Sequence, residues 1–400
     1  MLGYNLIMNK AKKHIAVTGT KGKTTTLRII QHAFLMNQVS VWGSYGIDGR
    51  YHNGEIYQKR EDCEDYLKIF EKSEIHLSEA TSFVLTLEGM YQKDSIDVAI
   101  FTSFDGSEHM ELHNTSEKYL KEKLRIFEYL KKDGVAIINR DIEEYETITK
   151  NIQQKIISYG IHEESDYRIS NISQSIFGST FDMIYKNKSY TIETKLLSEA
   201  NMLNIVAGII SVLESWNWPM DKLIKDMSHF PGVKGRFNFF RIPDCDNEVV
   251  IDYAHTPGSL EEILKTLKVV SKKKLICIFG CGGNKSIEKR SLMGKISESY
   301  ADKVIITNDN PRKESPHKIA NDILKDVSDK NKFEIILDRG LAIKSVLHNN
   351  HNSIILIAGK GAEHKIDFGQ FDFPYNDHNA VLTYVISNQY NMMKAAQYVD

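Results

Sequence analysis

Short apolar runs alternate with amphipathic helical periods along almost the whole chain, the pattern of an α/β fold built on mainly parallel sheets. In the first half, strands are expected at 14–18, 83–87, 97–102 and 134–139, and helices at 23–35, 116–131 and 201–216. Between Arg168 and Ser198 the residues alternate, as in Phe181-Asp-Met-Ile-Tyr and Tyr190-Thr-Ile-Glu-Thr, which predicts antiparallel pairing. Pro231-Gly232-Val233-Lys234-Gly235-Arg236 is a turn-rich break. Beyond it, strands at 248–251, 275–279, 303–307, 333–337 and 354–358 alternate with helices at 259–270, 287–300, 316–327 and 341–347. Five strands with intervening helices make a small doubly wound, Rossmann-like domain. The expected division is therefore a domain at 1–234 and a second at 235–400.

Composition narrows the function classes. The formal net charge of −2 argues against a general nucleic-acid or membrane-surface role. No apolar run approaches the roughly 18 residues of a membrane span, and the start of the chain has no signal-peptide core. Cys63, Cys245, Cys277 and Cys281 show no paired zinc spacing and read as reduced structural thiols. A cytoplasmic protein acting on small molecules is expected.

The polar residues cluster where strands end. His14-Ile-Ala-Val-Thr18 leads into Gly19-Thr20-Lys21-Gly22-Lys23-Thr24-Thr25 and then a helix. Strand, glycine turn and helix make an anion cradle: backbone N–H groups and a helix N-terminus face a phosphate, Lys23 adds a point charge and Thr24 a hydroxyl for Mg²⁺. Two residues separate the glycines, where the usual phosphate loop has four. Glu79, expected just before a strand, is either a Mg²⁺ ligand near that loop or a solvated turn residue. Glu108 and His109 follow the strand at 97–102 and are either metal ligands or surface residues. Asp252 and His255 end a strand where such folds place a ligand crevice, or occupy an ordinary loop. Phe279-Gly-Cys-Gly-Gly283-Asn284 resembles a second phosphate turn without the Lys-Thr pair. Asp309-Asn310-Pro311-Arg312 and Gly359-Lys-Gly-Ala-Glu363 also follow strands. Arg312 and Glu363 there either hold the carboxylate and ammonium of a zwitterion or pair with each other.

In this order the motifs resemble the Mur ligase family, the ATP-dependent amide-forming enzymes of cell-wall precursor synthesis. The members most similar add the third residue of the muramoyl peptide. Thr18 to Thr24 is similar to the family's T-G-T-N-G-K-T, with Lys21 in place of Asn. Glu79-Ala-Thr-Ser82 is similar to E-x-S-S, and Thr102 to Thr115 to T-N-L…D-H-L-D-x-H-G-T. Tyr119 to Lys123 is similar to Y-x-x-x-K, Ala200 to Asn204 to F-N-x-x-N, and Gly235-Arg236 to G-R. Asp252 to Pro257 reproduces D-Y-A-H-T-P, Phe279 to Met293 follows the family's second glycine turn, and Asp309 to Arg312 and Gly359 to Glu363 follow D-N-P-R and G-K-G-x-E.

The resemblance implies a P-loop-type ATPase domain followed by the doubly wound domain. It implies that ATP converts a substrate carboxylate to an acyl phosphate, which an amino acid's amine attacks. Gly19, Thr20, Lys21, Gly22, Lys23, Thr24 and Thr25, with Asn204, Arg236, Asp252 and His255, would bind the nucleotide. Lys23, Glu79, His109 and Lys123 would be catalytic. Thr24, Glu79, His109 and Lys123 would hold Mg²⁺, with Lys123 carbamylated by CO₂. Asp309, Asn310, Arg312, Gly359 and Glu363 would hold the added amino acid, Arg312 suiting meso-diaminopimelate. A folylpolyglutamate-synthetase-like ligase, or an inactive nucleotide-binding scaffold, is the alternative.

Three departures bear on the acceptor. The phosphate loop starts at Thr18, so no counterpart of the family's UDP-gripping N-terminal domain is expected, and a partner subunit could supply that surface. Tyr57 to Cys63 carries nothing similar to the family's dipeptide-holding element. Asn284-Lys285-Ser286 stands for Asp-Arg-Asp, and Ala362 for His. A smaller carboxylate acceptor without UDP is therefore a further expectation.

Overall fold

The computed structural model describes residues 13–45, 49–52, 55–56, 73–87, 90–106 and 113–397. The chain divides into two compact units, Met1–Pro231 and Gly232–Asp400, at the turn-rich break.

The first unit is built on one mixed sheet. Its strands are β1 (Lys13–Thr18), β2 (Val41–Tyr45), β3 (Gly49–His52), β4 (Glu55–Ile56), β5 (Ile75–Glu79), β6 (Ile96–Phe101), β7 (Leu130–Asn139), β8 (Lys155–Gly160), β9 (Tyr167–Ser175), β10 (Gly178–Tyr185) and β11 (Lys188–Thr194). Among the described residues the order is β11-β10-β9-β8-β7-β6-β1-β5-β2-β3-β4. β2, β5, β1, β6, β7 and β8 run parallel, and β9–β11 form the antiparallel meander that the alternation between Arg168 and Ser198 predicts. Ile15, Ala16 and Val17 of β1 are fully buried, as a central parallel strand with both faces covered requires. The helix Lys23–Met36 packs against the long apolar helix Glu199–Trp216 on one face.

Two elements differ from the sequence expectation. Residues 83–87 are not a strand: Ser82–Thr86 is a short helix, N-capped by Thr81, whose side chain accepts from the Val84 N–H. An apolar run this short carries no periodicity that separates helix from strand. The strand is the more polar stretch before it, Ile75-His-Leu-Ser-Glu79, so Glu79 ends a strand rather than preceding one. The helix expected at 116–131 stops at Leu124 and passes through a 3₁₀ turn, Arg125–Tyr129, into β7. Lys131 lies in that strand, its ammonium 2.8 Å from Asp97 of β6, so a tertiary ion pair overrides local helix propensity.

β1 and β5 also bring two histidines together. His14 and His76 are register partners, both buried, with rings stacked at 4.3 Å, and His14 Nε2 lies 2.8 Å from Ser78 Oγ. Burial pushes His14 down to about 4 and His76 well below its usual value. Both are neutral when folded, whereas the unfolded chain protonates them near pH 6.5. Their contribution is therefore complete above about pH 6.5 and is lost as pH falls toward 4. His14 alone accounts for about 3 kcal/mol over that window. Urea unfolding should show a steep stability loss from pH 7 to 4.5 that His14→Gln flattens.

The second unit has strands β12 (Asn238–Ile242), β13 (Asn247–Asp252), β14 (Lys274–Phe279), β15 (Lys303–Ile306), β16 (Phe333–Ile335) and β17 (Ser353–Ala358), in the order β12-β13-β17-β14-β15-β16. All neighbours are parallel except the edge pair β12–β13. This is the doubly wound sheet that the sequence predicts, extended by β12 and followed by a hairpin, β18 (Lys365–Asp367) and β19 (Asp372–Pro374), and a helix, Asp377–Gln397. The sequence order reverses between β14 and β17, which places a ligand crevice beyond their carboxyl ends. Arg339 fixes that rim. Fully buried, it makes a bidentate pair with Asp377 (2.8 and 2.9 Å) and donates to the carbonyls of Ala358 and Asn308.

Candidate active site

In the first unit the glycine turn joins β1 to the helix Lys23–Met36. Gly19 has φ +139°, and a Cβ there would lie 2.1 Å from Thr102 Oγ1, so only glycine lets the turn sit against the end of β6. Gly22, in the left-handed region at φ +85°, is the helix N-cap. Residues 102 and 103 strap the loop in place. Thr20 N donates to Ser103 O (2.8 Å), Lys21 N to Ser103 Oγ (2.8 Å), and Thr102 Oγ1 to the carbonyls of Thr18 and Lys21. Asn204, buried in the helix Glu199–Trp216, lies against Gly22 and accepts from Thr26 Oγ1 at 3.1 Å.

The charged groups gather on this loop. Lys23 Nζ donates to the carbonyls of Gly19 and Thr20, both at 3.0 Å, and lies 3.9 Å from Glu79 Oε1. Thr24 Oγ1 donates to Glu79 Oε2 at 3.0 Å. β1 and β5 are parallel neighbours, so their carboxyl ends bring Glu79 and the loop together. Lys123 comes from the helix Ser116–Leu124. It is 1 % exposed, donates to Gly19 O at 2.6 Å, and lies 4.5 Å over the Tyr119 ring. Burial pushes its ammonium well below the usual lysine value, Lys23 pushes it further, and Glu79 opposes both. This lysine is not the solvated residue of a charged helix that its neighbours suggest. His113 stacks on the same Tyr119 at 4.9 Å and lies 2.9 Å from Ser82 Oγ. His109 and Glu108 lie outside the described residues, as do Tyr57 to Cys63.

In the second unit one cavity of about 200 Å³ brings together Asp309, Asn310, Arg312, Gly359, Glu363 and His255 at the crevice end of the sheet. Lys285, Ser286 and Lys289 also line it, so the Asn284-Lys-Ser286 departure falls at the pocket itself. Arg312 and Glu363 do not pair with each other. Arg312 donates to Gly283 O (2.7 Å) and lies 3.5 Å from Asp367, whereas Glu363 accepts from Lys360 (2.8 Å) and Asn310 (3.1 Å). Burial raises Asp309, opposed by Lys360 and Arg339. Asp252 accepts from the N–H groups of Phe237 and Ala254, both at 2.7 Å, and Arg236 covers the Tyr253 ring at 4.2 Å. Burial pushes the Cys281 thiol up to about 12, and Cys245, Cys277 and Cys281 are all free.

The sequence does not single out Lys360, Arg290, Arg339 or Asp367. Lys360 and Arg290 are fully or almost fully buried, and nothing in a Gly-Lys-Gly or Lys-Arg string distinguishes such cations from solvated ones. Thr102 and Ser103 open the stretch similar to T-N-L…D-H-L-D-x-H-G-T, but nothing in it marks them as the residues that strap the phosphate loop.

Two family models match this chain: the Mur ligase middle domain over residues 17–212, and the Mur ligase, glutamate ligase domain over residues 235–361. The chain belongs to the Mur ligase family. This Mur ligase is 35% identical over 371 residues to UDP-N-acetylmuramoyl-L-alanyl-D-glutamate–2,6-diaminopimelate ligase of Syntrophomonas wolfei, covering 89% of this chain and 74% of that protein. The enzyme of the same name from Rickettsia bellii is 34% identical over 383 residues, covering 92% and 79%. A solved structure of a ligase of that name has a TM-score of 0.66 at 30% identity, covering 95% of this chain and 79% of the other. Mycobacterium tuberculosis folylpolyglutamate synthase with ADP has a TM-score of 0.72 at 14% identity, covering 89% of each chain, and shares the fold. This Mur ligase is an ATP-dependent ligase, with the mixed α/β architecture of its family. No helix among the described residues is long and apolar enough to cross a membrane.

Proposed function

We propose that this Mur ligase joins meso-diaminopimelate to the glutamate carboxylate of UDP-N-acetylmuramoyl-Ala-Glu through an acyl phosphate, forming ADP and phosphate. The names of its relatives support the substrates. The observation that carries the reading is the cavity that joins Arg312 to Asp309 and Glu363, a guanidinium for a distal carboxylate and two carboxylates for an ammonium, with Lys285, Lys289 and Arg290 also in its lining.

The residues of the phosphate loop suit the first step. Lys23 exchanges the loop carbonyls it holds for phosphoryl oxygens, and its charge meets the charge that builds there during transfer. Backbone groups of Gly19 to Thr25 orient the phosphates, and Asn204 holds the loop at Gly22. The paired oxygens of Thr24 and Glu79 fit a Mg²⁺ ion, which when bound neutralises phosphate charge; His109 is assigned to it by family resemblance alone. Lys123 fits carbamylation because burial disfavours its ammonium and leaves a nucleophilic amine for CO₂. The carbamate would add a negative ligand beside Thr24 and Glu79.

In the second unit, Glu363 and Asp309 receive the ammonium of the incoming amino acid, and Arg312 turns from Gly283 O and Asp367 toward its distal carboxylate. Asn310 and Gly359 shape the pocket between them, and Arg236, Asp252 and His255 are assigned to the nucleotide by family resemblance alone. Mass spectrometry of a reaction with ATP, Mg²⁺, bicarbonate, meso-diaminopimelate and the UDP-dipeptide tests the reading. The expected product is the UDP-tripeptide, with ADP formed only when both partners are present. ADP formed with amino acid and a smaller carboxylate, but not with the UDP-dipeptide, would retain the chemistry and replace the acceptor.

A further inference from the structure

We propose that Lys360 is a positioning residue for amino-acid capture: its buried ammonium fixes Glu363 and Asn310 where the incoming ammonium is received, and ties that end of the pocket to the loop carrying Arg312. This rests on the amino-acid pocket proposed above. Lys360 is fully buried and does not line the cavity, so it acts through its partners. Its Nζ lies 2.8 Å from Glu363 Oε2, 2.9 Å from Asn310 Oδ1 and 3.5 Å from Asp309 Oδ1, a use for all three ammonium hydrogens.

Asn310 carries the linkage onward. Its Oδ1 also accepts from Asp367 N at 2.9 Å, and its Nδ2 donates to Glu363 Oε2 at 3.1 Å. The Asp367 carbonyl in turn accepts from Arg312 N at 2.9 Å. A chain of hydrogen bonds thus runs from Glu363 through Lys360 and Asn310 to the backbone of Arg312. It passes through the hairpin β18–β19, which holds Arg312 by main chain and side chain together.

Charge favours the same role. Lys360 lies between Asp309 and Glu363, the two carboxylates that receive the substrate ammonium, while Lys285, Lys289, Arg290 and Arg312 line the same cavity. Other charged groups face the pair as well: Arg339 acts on Asp309, and His255 and Lys365 on Glu363. Lys360 is the foremost charge that opposes proton uptake by Asp309, ahead of Arg339, which is also paired with Asp377. Without Lys360, the rise that burial imposes on Asp309 loses its largest opponent.

Lys360→Met keeps the side-chain length and removes the charge. In the full chain, the KM for meso-diaminopimelate should rise about tenfold or more, the cost of one lost charge-assisted contact, while the KM for ATP stays within about twofold. The acid limb of kcat/KM for the amino acid should move to higher pH, a change that general loosening does not produce. Lys360→Gln, which keeps a donor, should show the same pH shift with a smaller KM rise. An unchanged amino-acid KM, or equal losses toward ATP and amino acid without a pH shift, would overturn the inference. Failure of both variants to fold would also count against it, since Lys360 would then hold the fold rather than the pocket. Wild-type turnover indifferent to any amino acid would remove the pocket reading itself, a separate and earlier failure.

Discussion

Lys23→Ala is expected to slow ADP formation about a thousandfold, with the KM for the amino acid unchanged. The Lys23 ammonium donates to two carbonyls of its own loop, Gly19 O and Thr20 O, and lies 3.9 Å from Glu79. The loop keeps its shape without these bonds, because Ser103 and Thr102 hold Thr20, Lys21 and Thr18 by separate bonds. What the variant loses is a cation in place before charge builds on the transferring phosphoryl group. Removing one preorganised donor of this kind costs about 10²–10³ in rate, and loss of a full charge lies at the upper end. Steady-state ADP release at saturating substrates measures the effect. A drop of less than about tenfold would remove Lys23 from phosphoryl transfer. Unchanged biological activity in the cell would favour a nucleotide-binding scaffold over a ligase.

Lys123→Met is expected to abolish turnover to a similar extent while leaving the fold at least as stable. Lys123 is 1 % exposed, and a buried ammonium carries a desolvation cost that methionine, of similar length, does not. If the lysine served only to hold Gly19 O, the loss would be a single hydrogen bond, about 1 kcal/mol and less than tenfold in rate. Carbamylation predicts much more, because the variant lacks a negative group next to Thr24 and Glu79. Two further readouts separate the cases. Depleting bicarbonate should inactivate the wild type reversibly, and a short carboxylate such as acetate should partly restore Lys123→Ala, whose cavity can admit it. A variant that keeps most of its activity, with no response of the wild type to bicarbonate, would leave Lys123 as a structural amine.

The parallel core and the doubly wound sheet were legible because their strands are buried on both faces and read as unbroken apolar runs, as in Ile15 to Val17 and Ile354 to Ala358. The site was legible where chemistry sits at strand ends, since neighbouring parallel strands must place those ends together. β5 was not, because His76, Ser78 and Glu79 make a buried strand look like a polar loop until pairing with β1 is known. Residues 83–87 misled in the opposite direction, an apolar run closed into one helical turn by Thr81. The burial of the cations is illegible for a different reason, even at Lys123, which the resemblance to Y-x-x-x-K names. Lys123, Lys360, Arg290 and Arg339 are long charged side chains whose burial depends on partners distant in sequence, such as Gly19, Glu314 and Asp377. No local pattern distinguishes them from surface residues.

The reaction's covalent course is tested most directly by isotope transfer. With the acceptor carboxylate labelled in both oxygens by heavy oxygen, attack of that carboxylate on the γ-phosphorus leaves one label in the acyl phosphate's bridging position. Attack by the amine then expels it, so the inorganic phosphate should carry one heavy oxygen and the ADP none. Label recovered in AMP, with pyrophosphate released, would show an acyl adenylate and contradict the assignment of Lys23, Thr24 and Glu79 to transfer of the terminal phosphoryl group.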